Sequence, residues 1–102
     1  MKHVFVLKED CLRIYMPKEL DHHNAEGIRE GADAYLLSGQ VKDVIFDFAQ
    51  TGFMDSSGIG VIAGRYKKVT CFGGRVIAVH ANPRIRKILM LSGLKDMIEI
   101  VD

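Results

Sequence analysis

The sequence predicts an α/β domain with a mixed, mostly parallel sheet and helices mainly on one face. Runs of apolar and β-branched residues alternate with stretches whose apolar residues recur every three or four positions, in the order β-β-α-β-α-β-α-β. This alternation implies parallel strands joined by right-handed crossovers. Only a short turn separates the first two strands, so they are expected to form an antiparallel hairpin at one edge of the sheet.

The N-terminal third contains this hairpin and a helix. Residues 3–7 and 12–16 are the predicted strands, and Pro17 ends the second one because proline has no N–H to donate to the sheet. The apolar residues of the segment 24–38 fall on one stripe of a helix, and Gly39 stands where a C-terminal cap belongs. We therefore expect the first helix to span residues 24–38.

The middle of the chain predicts a central strand, a second helix and another strand. Residues 44–48 form a short apolar run of the kind found in buried central strands. A second apolar stripe runs from the serines near residue 56 to about residue 69. Gly73 and Gly74 then interrupt the chain before a strand at residues 75–79.

The C-terminal third predicts one more helix and one more strand. Asn82 and Pro83 are a preferred N-cap and first-turn pair, and Gly93 stands at the predicted end of that helix. Residues 97–101 form the last strand. Since no linker or repeat interrupts the pattern, residues 1–102 are expected to form a single domain.

Composition and charge exclude several classes of protein. Of the 102 residues, 48% are hydrophobic and 26% are charged, which is typical of a globular domain. No apolar run reaches the roughly 18 residues of a membrane span. The N-terminal segment does not resemble a signal peptide, and Cys11 and Cys71 are isolated, so we expect a cytoplasmic protein. The net charge of +1 argues against nucleic acid as a partner.

The charges are unevenly distributed along the chain. Between Ser56 and Leu94 there are seven basic residues and no acidic one. A solvated helix surface explains this pattern, and a polarised surface that steers a charged partner is the alternative. The basic residues are Arg65, Lys67, Lys68, Arg75, Arg84, Arg86 and Lys87.

The segment Met-Asp-Ser-Ser-Gly at residues 54–58 is the strongest candidate for a functional site. Asp55, Ser56 and Ser57 are all preferred N-cap residues, so the second helix begins here with free N–H groups and a partial positive charge. Gly58 and Gly60 cost helix stability, by up to about 1 kcal/mol each. The segment is therefore either a helix cap without a further role or a helix end that the two glycines keep bare, so that another molecule can approach closely.

Three catalytic motifs do not fit this segment. A nucleophile elbow requires glycine two residues before the serine, but Met54 occupies that position before Ser56. The Gly-Lys-Ser/Thr sequence of a P-loop is absent. Residues 58–63 match a dinucleotide fingerprint, but they do not follow the strand directly and no acidic ribose ligand comes after them. His22 and His23 are adjacent on a helix and do not face each other, so no metal site is expected.

Several segments together resemble one known family. They are Glu-Leu-Asp-His-His at 19–23, the stretch 53–62, Gly-Arg-Tyr-Lys at 64–67, Gly-Gly at 73–74 and Ser-Gly-Leu at 92–94. In register over nearly the whole chain, these residues resemble STAS domains, and among them the anti-sigma factor antagonists of the sporulation type.

Two features depart from the family pattern. Pro17 and Lys18 replace the usual glycine, and the chain ends at Asp102, where family members commonly continue into a further helix.

The resemblance implies a switch rather than an enzyme, with no cofactor and no membrane contact. Such an antagonist binds an anti-sigma factor that is also a serine kinase, and binding frees a sigma factor. Phosphorylation of the serine after the aspartate, here Ser56, ends the binding, and a serine phosphatase restores it. The resemblance implies partner contacts for Asp21, Asp55, Ser57, Gly58, Ile59 and Gly60. A STAS regulatory module of another signalling or transporter system, and a small nucleotide-binding domain, remain alternatives.

Overall fold

A computed structural model describes residues 4–101. In this part of the chain, strands and helices alternate largely as the apolar pattern predicts. The elements are β1 (Phe5–Lys8), β2 (Cys11–Tyr15), β3 (Glu19–Leu20), α1 (His22–Leu37), β4 (Asp43–Asp47), β5 (Phe53–Met54), α2 (Ser56–Thr70), β6 (Val76–Val79), α3 (Pro83–Leu91), a 3-10 helix (Leu94–Asp96) and β7 (Glu99–Val101).

Five of the strands form the main sheet, in the order β1-β2-β4-β6-β7. β1 and β2 are antiparallel, and all other neighbours in this sheet are parallel. Glu9 makes the hairpin turn in the left-handed region, with a φ of 59°. The predicted mixed α/β fold with an antiparallel edge hairpin is therefore confirmed. The predicted start of the first strand, at residue 3, lies outside the described residues.

The core lies between one face of this sheet and the helices. Alternate strand residues point to the helices and are almost fully buried, whereas Tyr15 and Ile45 on the opposite face are more exposed. The strands contribute Leu12, Ile14, Val44, Phe46, Val76 and Ala78, and the helices contribute Ile28, Ile62, Val69, Ile85 and Leu89. This arrangement agrees with the predicted placement of the helices mainly on one face. The helices of residues 4–101 are all too short or too polar to cross a membrane.

Two short strands and a 3-10 helix were absent from the predicted order. β3 and β5 form a separate two-stranded parallel sheet, with Leu20 opposite Met54. Each strand has only two residues, too few for an alternating pattern to be visible in the sequence. Gly93, with a φ of 88°, introduces the 3-10 helix after α3 has ended at Leu91, so β7 begins at Glu99 rather than at residue 97.

The predicted N-caps of α2 and α3 are confirmed. Asn82 caps α3 by accepting a 2.8 Å hydrogen bond from the Ile85 N–H, and Asp55 caps α2. α1 begins at His22, two residues earlier than predicted, because Asp21 is its N-cap. Asn24 instead donates its side-chain N–H to the Glu19 carbonyl oxygen, at 2.7 Å.

Candidate functional site

The candidate site is formed by two helix starts that lie side by side. β3 leads into α1 and β5 leads into α2, and the two strands are paired in parallel. Asp21 and Asp55 therefore occupy equivalent positions directly after neighbouring strands. The Asp55 N–H donates to the Leu20 carbonyl oxygen at 3.2 Å, which ties one helix start to the other. Two of the predicted site residues, thirty-four positions apart in the chain, are thus brought together.

Both aspartates stabilise the first turn of their helices. Asp55 Oδ1 accepts a 2.8 Å hydrogen bond from the Ser57 N–H, and Asp21 Oδ1 accepts a 2.9 Å hydrogen bond from the Asn24 N–H. A cap of this kind contributes about 1 kcal/mol to helix stability. Ser56 is the first residue of α2 and is exposed. Ser56 therefore lies at the end of α2 that carries a partial positive charge, next to the start of α1.

Small side chains leave the outer side of α2 bare beyond Ser56. Residues four and seven positions further along a helix lie on the same side as the first, and here they are Gly60 and Ala63. A Cβ added to Gly60 would meet no atom within 4 Å. Ile59 lies next to this stripe and is half-buried. The result is a low surface that starts at Ser56 and that a partner can approach closely.

Gly58 does not belong to this surface. It is buried, and a Cβ at this position would lie 2.6 Å from Met54 Cγ and 2.8 Å from Leu20 Cδ2. Its lack of a side chain lets α2 pack closely against β3 and β5. Gly58 therefore has a packing role and its contact with a partner stays a prediction, whereas Gly60 lies on the accessible side.

The two glycines should respond in opposite ways to alanine. We expect Gly58→Ala to lower the free energy of unfolding by about 1–3 kcal/mol, because the new methyl group overpacks the contact with Leu20 and Met54. Gly60→Ala should raise it by roughly 0.5–1 kcal/mol, because alanine favours helix and the space is open. Urea denaturation of the two variants measures both effects, and equal midpoints would contradict the assigned packing.

Phe53 is a surface residue that the sequence analysis did not select. It precedes Met54 on β5, and alternation along this short strand turns Met54 into the core and Phe53 outward. Met54 is 4% exposed, whereas Phe53 is 47% exposed. An aromatic ring this accessible, three residues from Ser56, is a natural contact for a protein partner. In the sequence, only its position next to the serine segment could have indicated Phe53 as a contact residue.

An ion pair holds α1 and α2 side by side behind the site. Asp33 on α1 lies 3.1 Å from the Arg65 guanidinium, although not at the angle of a hydrogen bond, and 3.0 Å from Lys68 Nζ. Arg65 is 5% exposed. Burial lowers the pKa of the Arg65 guanidinium below its usual value, and the Asp33 carboxylate opposes this shift. The pair therefore fixes the spacing of the two helices that carry the site.

The loop before β5 is held by side-chain hydrogen bonds. Thr51 is buried, and its hydroxyl donates to the Pro17 carbonyl oxygen at 2.8 Å. Asn82 Nδ2 donates to the Thr51 carbonyl oxygen at 3.1 Å. The N–H of Gly52 donates to the Lys18 carbonyl oxygen at 2.8 Å. Pro17 and Lys18, which replace the usual family glycine, thus supply the carbonyl oxygens that position β5 and the serine segment.

The fold and the site together are those of a STAS domain. The chain matches the family model described as "STAS domain" over residues 4–102, and it belongs to this family.

Within the family, several of the similar proteins are antagonists of anti-sigma factors. An anti-sigma F factor antagonist of Lysinibacillus sphaericus is 40% identical over 76 residues, which are 74% of this chain and 65% of that protein. The match therefore spans slightly less than two thirds of that relative. The structure of the anti-sigma factor antagonist SpoIIAA in its unphosphorylated form has a TM-score of 0.80 and 30% identity, covering 96% of this chain and 87% of SpoIIAA. The phosphorylated form of the Bacillus cell-fate determinant SpoIIAA has a TM-score of 0.77 and 32% identity, covering 96% of this chain and 91% of that one.

Proposed function

We propose that this protein is an anti-sigma factor antagonist whose binding is controlled by phosphorylation of Ser56. The observation that carries the proposal is the position of Ser56, which is exposed, directly follows the Asp55 cap and lies at the end of a bare helix surface. The proposal is supported by relatives that are themselves anti-sigma factor antagonists, and by SpoIIAA, which occurs in an unphosphorylated and a phosphorylated form.

The unphosphorylated protein binds the anti-sigma factor through the surface around the two helix starts. Asp21 and Asp55 offer carboxylates, and Gly60 leaves room for close approach. Ser57 and Ile59 are half-buried at its edge, and the exposed ring of Phe53 adds apolar area. An aromatic side chain that is surrounded by polar groups is typical of the centre of a protein interface. Binding releases a sigma factor.

The anti-sigma factor also acts as the serine kinase. It transfers the terminal phosphoryl group of ATP to the Ser56 oxygen: the new O–P bond forms as the bond to the β-phosphate oxygen breaks, ADP leaves, and the hydroxyl proton passes to solvent. A separate serine phosphatase hydrolyses the phosphate ester and restores the binding form. This chain supplies only the acceptor serine and a docking surface, and it catalyses no step itself. We place the cycle in the cytoplasm, where ATP is available to the kinase.

Phosphorylation acts on the interface rather than on the fold. A phosphoserine carries about −1.5 to −2 charges at neutral pH, and a helix N-terminus favours such a group. Asp55 already accepts the Ser57 N–H and places its own negative charge beside Ser56. Phosphorylation therefore concentrates negative charge on one exposed spot, where it opposes any acidic or tightly packed surface of the partner.

The residue that accepts the phosphate can be identified directly. Incubation with the kinase and ATP should add one phosphate to the wild type and to Ser57→Ala, and none to Ser56→Ala. Ser57 is disfavoured because it is half-buried in the first turn. Intact-mass and peptide mass spectrometry measure both the number and the position of the phosphates. A phosphate on Ser57, or no phosphorylation by any kinase from the source organism, would contradict the proposal and favour another STAS system.

A further inference from the structure

The basic stretch of the sequence is partly neutralised within the fold. Arg65 and Lys68 both pair with Asp33 on the neighbouring helix. Arg75 lies 3.6 Å from Asp43 and 3.3 Å from Glu99. These three basic side chains therefore form ion pairs within the fold. If the basic stretch steers a charged partner, its remaining basic residues must do so.

The outward side of α3 combines basic residues with exposed apolar side chains. Ile85 and Leu89 point into the core. With about 3.6 residues per turn, the opposite side, which we call the α3 outer face, consists of Arg84, Lys87, Met90 and Leu91. Met90 is 40% exposed and Leu91 is 77% exposed. Arg84 and Lys87 are exposed, and neither forms an ion pair with any of residues 4–101.

Helix stability does not explain this composition. The N-terminal end of a helix carries a partial positive charge, so acidic residues stabilise the first turn and basic ones oppose it. The first turn of α3 has no acidic residue, and Arg84 lies within it. Leu91, which is 77% exposed, gains little from burial in the fold either. The α3 outer face therefore has the features of a surface that another molecule covers.

α3 is linked to the Ser56 site through β5 and the loop that precedes it. α3 contacts β5, the strand that leads into α2. Asn82, the N-cap of α3, is hydrogen-bonded to the loop that precedes β5. A partner seated on Ser56 and Phe53 would therefore have the start of α3 within reach.

We propose that the α3 outer face binds an acidic segment of the anti-sigma factor, in which carboxylates are interspersed with apolar side chains. This proposal rests on the proposed function above and names a second contact of the same partner. Arg84 and Lys87 attract the carboxylates, and Met90 and Leu91 pack against the apolar residues. The exposed leucine and methionine favour a protein over a nucleic acid, whose backbone offers phosphates but few apolar groups.

Charge reversal tests this proposal against the purified anti-sigma factor of the source organism. We expect Arg84→Glu/Lys87→Glu to weaken binding by about ten- to a hundredfold at low salt and to reduce its dependence on salt concentration. Met90→Ser/Leu91→Ser should weaken binding at all salt concentrations. The control Lys8→Glu/Lys42→Glu changes the net charge equally at two exposed lysines, one on the edge strand β1 and one directly before β4, and it should bind like the wild type.

Each result of this titration has a clear meaning. If the α3 charge reversal binds as tightly as its control while phosphorylation of Ser56 still prevents binding, the α3 proposal is overturned and the proposed function stands. If the unphosphorylated wild type does not bind the anti-sigma factor at all, both fail. If the α3 charges affect binding only to vesicles of anionic lipid or to DNA, the α3 outer face serves a different ligand and the proposal is again overturned.

Discussion

Replacing Gly74 with alanine is expected to lower the free energy of unfolding by ~3 kcal/mol or more. The added Cβ would lie far inside van der Waals contact of the Lys42 carbonyl oxygen, 2.8 Å from the Lys42 carbonyl carbon and 2.8 Å from Val69 Cγ1. A backbone carbonyl cannot rotate away as a flexible side chain can. Lys42 directly precedes the central strand β4, so relief of the clash would disturb the pairing of β4 with β6.

Gly64 provides the control for this prediction. It lies within α2, and a Cβ at this position would meet no atom within 4 Å. We therefore expect Gly64→Ala to be neutral or stabilising by up to roughly 1 kcal/mol. Thermal and urea denaturation of both variants would measure the difference. A Gly74→Ala protein as stable as the wild type would contradict the close packing of Gly74 against the Lys42 carbonyl group.

The main sheet and the helices were predictable because their apolar residues repeat over many positions. Core residues such as Phe46 and Ile62 belong to runs that are long enough to show strand or helix periodicity. The β3–β5 sheet was not predictable in this way, because two residues carry no period. Its pairing also depends on contacts between distant parts of the chain, such as the hydrogen bond from Asp55 to Leu20.

The site was predictable in chemistry but not in orientation. The acidic N-cap and the serine at the start of α2 follow from residue types that favour helix starts. The sequence does not reveal that Gly58 faces the core while Gly60 faces solvent, since both are glycines two positions apart. That difference depends on which side of α2 packs against Leu20 and Met54. The outward direction of Phe53 has the same origin, because it follows from the β3–β5 pairing.

A negative charge at Ser56 is expected to weaken binding of the anti-sigma factor by roughly a hundred- to a thousandfold. Two unit charges ~4 Å apart interact by ~4 kcal/mol at an effective dielectric constant of ~20, which corresponds to about a thousandfold. Ser56 is exposed, so solvent screens part of this repulsion and lowers the effect. The phosphorylated protein should show the full loss, and Ser56→Asp, with one charge, a smaller one. Titration calorimetry with the purified anti-sigma factor measures both.

Ser56→Asn separates the effect of charge from that of size. Asparagine has nearly the shape of aspartate and is also a good residue near a helix start, but it is neutral. If repulsion causes the loss, Ser56→Asn should lose less than about tenfold in affinity relative to the wild type, and Ser56→Ala should bind like the wild type. Equal losses for Ser56→Asn and Ser56→Asp would show that the partner leaves no room at this position. Tight binding by stoichiometrically phosphorylated protein would exclude a switch at Ser56. In that case both the helix end and the partner would accept the added negative charge.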